Sequence, residues 1–116
     1  MGIIPYTKIM TGTIKKVVGV VMAFFEKILN MLRKIIQNLE NKLKYAIEGS
    51  TVLIEKGINK CQVKTKNYVR DEEKHCWKEV VVEYTQSEKE IPPEYRQRYE
   101  NGEVIDITED FILKLG

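Results

Sequence analysis

Large apolar residues recur at Ile14, Val18, Val21, Phe25, Ile28, Leu32, Ile35 and Leu39, with gaps that alternate four and three. That is the heptad spacing of an α-helix packing along a seam. With Val18, Phe25, Leu32 and Leu39 at position a, position d holds Ile14, Val21, Ile28 and Ile35. Position e then holds Met22, Leu29, Ile36 and Leu43, and position g holds Val17, Phe24 and Met31. A two-stranded coiled coil carries charge at e and g, because those positions face water. Here four of every seven positions are apolar, a stripe too wide for one partner helix to cover. The opposite face is polar, with Lys16, Glu26, Lys27, Asn30, Arg33, Lys34, Gln37 and Glu40. The pattern predicts one long amphipathic helix, capped near Thr11 or Thr13 and ended by Gly49.

The residues around that helix break its period. Pro5 separates Ile3, Ile4, Tyr6 and Ile9 from it, and these are expected to fold back on the helix start or dock on a neighbour. Over 51–60, Ile54, Ile58 and Cys61 keep helical spacing, while Val52-Leu53-Ile54 before Gly57 suits a strand. A short second helix, or a kinked continuation of the first, is the expectation here. From residue 61 the character changes. β-Branched and aromatic residues flank the charged run 70–74, which predicts an antiparallel hairpin over 61–85. Pairing Val69 with Lys74 would set Cys61 opposite Val82 and Cys76 opposite Asn67. Pro92-Pro93-Glu94 opens a short helix over 92–100 that stops at Asn101-Gly102. Residues 103–108 alternate as a third strand, and Phe111-Ile112-Leu113 forms a last apolar patch. The expected fold class is α+β: an N-terminal segment, 1–60, built on a long coiled-coil-like helix, and a small C-terminal β-β-α-β unit, 61–116.

Charge sharpens this division. The net charge is only +2. Residues 1–70, however, carry 13 basic and 4 acidic side chains, and residues 71–116 carry 6 basic and 13 acidic ones. An asymmetry of this kind points the basic half toward something anionic: a membrane surface, a nucleic acid or the acidic half of another subunit.

Candidate chemistry is sparse. The chain has one histidine, His75, and two cysteines, Cys61 and Cys76, without the paired spacing of structural zinc motifs. His75 and Cys76 read as ordinary strand residues, Trp77 and Tyr84 as core. No glycine-rich loop follows a strand to hold phosphate. No catalytic residue, cofactor or metal is assigned, and the chain is not expected to be an enzyme. Nucleic acid is not expected either, since Trp77, Tyr84, Tyr95 and Tyr99 lie in the acidic half, which would repel a phosphate backbone.

The first functional reading is a self-assembling interaction protein. Its interface would be Val18, Val21, Met22, Phe24, Phe25, Ile28, Leu29, Met31, Leu32, Ile35, Ile36, Leu39 and Leu43, buried in a homo-oligomeric bundle or barrel. The alternative is a peripheral membrane protein that offers Lys15, Lys16, Lys27, Arg33 and Lys34 to anionic lipid. A second alternative is a small antitoxin- or immunity-type protein whose helix is covered by a cognate partner. With no signal-peptide pattern and no apolar run near 20 residues, a cytoplasmic location is expected, at the membrane periphery under the second reading.

Overall fold

A computed structural model describes residues 2–17, 19–41, 45–57, 60–71, 73–99 and 104–116. The fold is α+β, built on an antiparallel sheet. In chain order the elements are β1 (Ile4–Pro5), α1 (Tyr6–Thr11), α2 (Gly19–Glu40), β2 (Tyr45–Lys56), β3 (Lys60–Asp71), β4 (Cys76–Ser87), α3 (Pro93–Tyr99), β5 (Ile105–Asp106) and α4 (Thr108–Lys114). Strands β2, β3 and β4 form a meander of three 12-residue strands. Both β1 and β5 add to the far side of β2.

Alternation along β3 explains the layering. Cys61, Val63, Thr65, Asn67, Val69 and Asp71 are buried, while the residues between them face the other way. On the inner face these line up with Ser50, Val52 and Ile54 of β2 and with Val80, Val82, Tyr84 and Gln86 of β4. Helix α2 lies across that face. Its Phe24, Phe25, Ile28, Leu29, Leu32, Ile35, Ile36 and Leu39 are all buried. A helix on a sheet rests on several strands at once, and so buries a broader stripe than a helix in a two-stranded coil. Phe25 sits at the centre, with its ring 5.7 Å from Phe111 and 6.3 Å from Tyr95.

Several sequence expectations are corrected. The helix covers 22 residues and starts later than the heptads suggest. Ile14 forms a bridge with Leu115 instead, and the Lys15 N–H donates to the Lys114 carbonyl at 2.7 Å. At the other end Ile47 already belongs to β2, as do Val52 and Ile54, so the short helix expected over 51–60 is strand from 51 to 56. The β-branched Thr51, Val52 and Ile54 fit the pleated surface, and long-range pairing with β3 prevails over weak helical spacing. Ile58 lies outside the described residues. Gly49 is no helix cap. It sits in β2 beside a register shift, where a Cβ would come within 2.2 Å of the Ile4 carbonyl oxygen. Only glycine lets β1 approach this closely.

The 61–85 hairpin exists, but its register differs by four residues. Val69 pairs with Lys78, Asp71 with Cys76 and Cys61 with Gln86. Asp71 sets this turn, because its Oδ1 accepts the Glu73 N–H at 3.0 Å and the Lys74 N–H at 3.2 Å. The short helix after Pro92-Pro93 is α3; the Asn101-Gly102 stop falls outside the described residues. The third strand is reduced to Ile105–Asp106, and it pairs with β2 rather than with the hairpin. The expected segments 1–60 and 61–116 thus share one sheet, and one core takes residues from both.

Candidate functional site: an open sheet edge beside a groove

The sheet has two edges, and the chain treats them differently. Along the β2 edge the stretch from Gly49 to Ile54 meets a succession of partners. Pro5 and Ile4 pair with Gly49 and Ser50, and Asp106 and Ile105 pair with Leu53 and Ile54. Between them the Val52 N–H donates to Thr108 Oγ1 at 2.9 Å, and the Val52 carbonyl accepts the Ile107 N–H at 2.9 Å. The β4 edge shows none of this among the described residues. Among the described residues β4 pairs with β3 alone.

Which groups of β4 face outward follows from a buried polar ladder. Ser50 Oγ donates to Asn67 Oδ1 at 2.6 Å, and Asn67 Nδ2 donates to the Val80 carbonyl at 3.0 Å and to Thr65 Oγ1 at 3.2 Å. Thr65 Oγ1 in turn donates to the Val82 carbonyl at 2.9 Å. Ser50, Thr65 and Asn67 have no solvent exposure, so leaving any of them unpaired would cost about 1–3 kcal/mol. Since Val80 and Val82 turn their carbonyls toward β3, the alternation of an antiparallel ladder turns the N–H and C=O of Glu79, Val81, Glu83 and Thr85 to the free side. The ladder therefore holds β4 in register while no strand among the described residues matches its outer groups. Sequence reasoning passed over it, although Thr65 and Asn67 stand at alternating positions otherwise filled by Cys61, Val63 and Val69.

Apolar side chains accompany the free edge. Trp77 is 60% exposed and Val81 47%, which corrects the reading of Trp77 as core. Tyr84 is half-buried against the core. Its ring lies 5.1 Å from Lys27 Nζ, and its hydroxyl is buried without a hydrogen-bond partner among the described residues. Burial, reinforced by the nearby Glu90 carboxylate, pushes the Tyr84 phenol well above its ordinary pKa, so it is a neutral donor at any physiological pH. Beside it a groove of about 640 Å³ runs between α2 and β4, lined by Ala23, Lys27, Asn30, Met31, Lys34, Tyr84 and others.

The helix residues expected to form an oligomer interface lie elsewhere. Phe24, Phe25, Ile28, Leu29, Leu32 and Ile36 belong to the main core, with Val21 and Met22 packed against it. Ile35 and Leu39 join Val69 in a second cluster, and Met31 packs on its margin. Val18 and Leu43 fall outside the described residues. The expectation that other copies must cover this face is corrected: the chain's own sheet covers it. Among the cations, Lys15, Lys16, Lys27 and Lys34 are exposed. Arg33 is half-buried and structural, since its Nε donates to the Ile9 carbonyl at 2.8 Å and its Nη2 to that of Gly12. These contacts tie the end of α1 to α2.

A small part of the charge asymmetry is answered by ion pairs within the chain. On the outer face Lys64 of β3 lies 3.1 Å from Glu55 and 3.9 Å from Glu83, and Lys66 lies 4.0 Å from Glu79. The hydrogen bond to Glu55, more than any other contact, raises the Lys64 pKa. Basic β3 is thus flanked by acidic β4.

His75 sits in the β3–β4 turn with φ of 52°, not in a strand as expected. Cys61 is buried and Cys76 half-buried, both free. Their registers put them at opposite ends of the hairpin, about 30 Å apart at ~3.3 Å per residue. Among the described residues no cluster of three metal-ligating side chains occurs, and no helix is long and apolar enough to cross a membrane. No family model, curated protein or solved structure matches the chain.

Proposed function

We propose that the protein is a non-catalytic interaction module whose binding element is the β4 edge together with the α2–β4 groove. The observation that carries this reading is the contrast between edges. Strand β2 is sealed from Gly49 to Ile54 by β1, β5, Ile107 and Thr108, while among the described residues β4 has no strand on its outer side. Exposed sheet edges are templates for strand addition, and sequences commonly blunt them with charge, proline or a covering loop. The centre of β4, Val80-Val81-Val82, carries no charge and no proline. Association through the apolar face of α2 gives way to this route because that face is spent on the core. The same burial weakens the lipid reading, since Phe24 and Phe25 would have to leave the core to enter a membrane.

Trp77 is the single tryptophan of the chain, so its fluorescence reports on this edge alone. In dilute protein the expected emission is that of a solvent-exposed indole, readily quenched by acrylamide, with shielding gained as the edge is occupied. An indole already shielded at the greatest dilution would mean that the chain covers its own edge, and would overturn the reading.

A further inference from the structure

Resting on that reading of the edge, we infer that the occupant of β4 is the β4 strand of a second copy, paired antiparallel about a two-fold axis at Val82. The argument is the fit of the strand to itself. For two sheets to join into one, residues of the inner face must meet inner-face residues, which leaves only every second register. Registers centred on Val80, Val81, Val82 or Glu83 keep most of the strand paired. Centring on Val81 sets Glu79 directly against Glu83 of the other copy, twice, and like charges so placed repel. Centring on Glu83 sets that carboxylate against its own copy. Centring on Val80 spends Trp77 on Glu83 and Lys78 on Val82.

Centring on Val82 avoids the like-charge contacts and keeps Trp77 from Glu83 and Lys78 from Val82. It sets Val80 against Tyr84, an aromatic and β-branched pair of the favourable kind. It sets Val81 against Glu83, Glu79 against Thr85 and Lys78 against Gln86, so no two like charges face each other. Glu79, Val81, Glu83 and Thr85 then meet as hydrogen-bonded pairs, which uses the outward N–H and C=O groups deduced above. Val80, Val82 and Tyr84 fall at the closer, non-hydrogen-bonded positions on the inner side, next to the groove lined by Met31 and Ala23. The interface is isologous and closed, so it ends at a dimer rather than a filament.

The register makes a charge-sensitive prediction at an exposed site. Within its own chain Val81 stands beside Lys66, so Val81→Glu gains an internal ion-pair partner and should fold. Across the two-fold the introduced carboxylate would face Glu83 of the other copy, twice. Light scattering after gel filtration should give the wild type twice the 13.6 kDa chain mass and the Val81→Glu variant a single-chain mass at the same concentration. Val81→Lys should remain a dimer, since lysine then faces Glu83. The double variant Val81→Glu with Glu83→Lys should regain the dimer, with circular dichroism confirming that each variant is folded. A dimer that Val81→Glu leaves intact would place the interface elsewhere and overturn the inference, as would a double variant that stays monomeric. A wild type of single-chain mass at all concentrations would also overturn it. In that case a quenchable Trp77 would leave the edge open to a different protein, whereas a shielded Trp77 would sink the edge reading as well.

Discussion

The two margins of one sheet differ in how much of the chain is devoted to them. On the β2 side, β1, β5, α4 and the Gly49 close approach all serve to satisfy a few backbone groups between residues 49 and 54. On the β4 side a strand of 12 residues is supported from within by Asn67 and Thr65, and among the described residues no strand pairs with its outer side. Closure of the first shows that the fold can cap an edge with very short pieces of chain. Among the described residues the second has no such cap, and association is the use proposed for it.

Substitutions on the sealed side should have the largest effects, all on folding. Gly49→Ala forces a Cβ against the Ile4 carbonyl and should displace β1, lowering stability by about 2–3 kcal/mol in urea denaturation. Thr108→Val keeps the volume but removes the acceptor of the buried Val52 N–H, at a cost of about 1–3 kcal/mol. Its companion prediction is faster exchange of the Val52 amide. Asn67→Leu tests the support of the open strand by removing donors to Thr65 and the Val80 carbonyl while stranding Ser50. A loss of about 1–3 kcal/mol is expected, with the loss of protection concentrated in β4.

Asp71, at the turn that leads into β4, gives a pH test. The hydrogen bond from the Lys74 N–H, chiefly, holds its carboxyl below the usual carboxylate range; partial burial opposes this and Lys78 assists it. The folded value thus lies under the unfolded one of about 3.9. Its contribution to stability is complete above that unfolded value and is lost as pH falls through the depressed one. The urea midpoint of the wild type should therefore exceed that of Asp71→Asn near neutrality, and the gap should close in acid. A gap that widened with acid would contradict the assigned direction. The smallest folding effect is expected at the open edge, where Val81→Glu should change the stability of the monomer by no more than about 0.5 kcal/mol.

The sequence was legible where a local pattern and the tertiary fold agree. The apolar stripe of α2, the α3 start at Pro93 and the existence of a hairpin follow from period, proline and β-branched content. The stripe's width was visible too, but width alone does not name what covers it. Sheets and helices of other copies present similar apolar surfaces, and the covering strands β2 and β3 lie later in the chain. Two local signals misled for physical reasons. Gly49 after Ala46-Ile47-Glu48 resembles a helix stop, yet its need is a close approach by Ile4, which lies far away in the chain. The turn of the hairpin hides in a charged run in which Asp71, through its side chain, decides the register. The open edge could not be read at all from spacing, since it depends on which strands β1 and β5 join.

Amide hydrogen exchange measured on one sample at two concentrations tests the central contrast most directly. Val52, sealed within the chain, should exchange slowly at both. Glu79, Val81, Glu83 and Thr85 should exchange rapidly in dilute solution and slow markedly as the concentration rises, because their N–H groups find partners only in a second copy. Slow exchange at these four positions in dilute protein, or fast exchange that concentration leaves unchanged, would contradict the account.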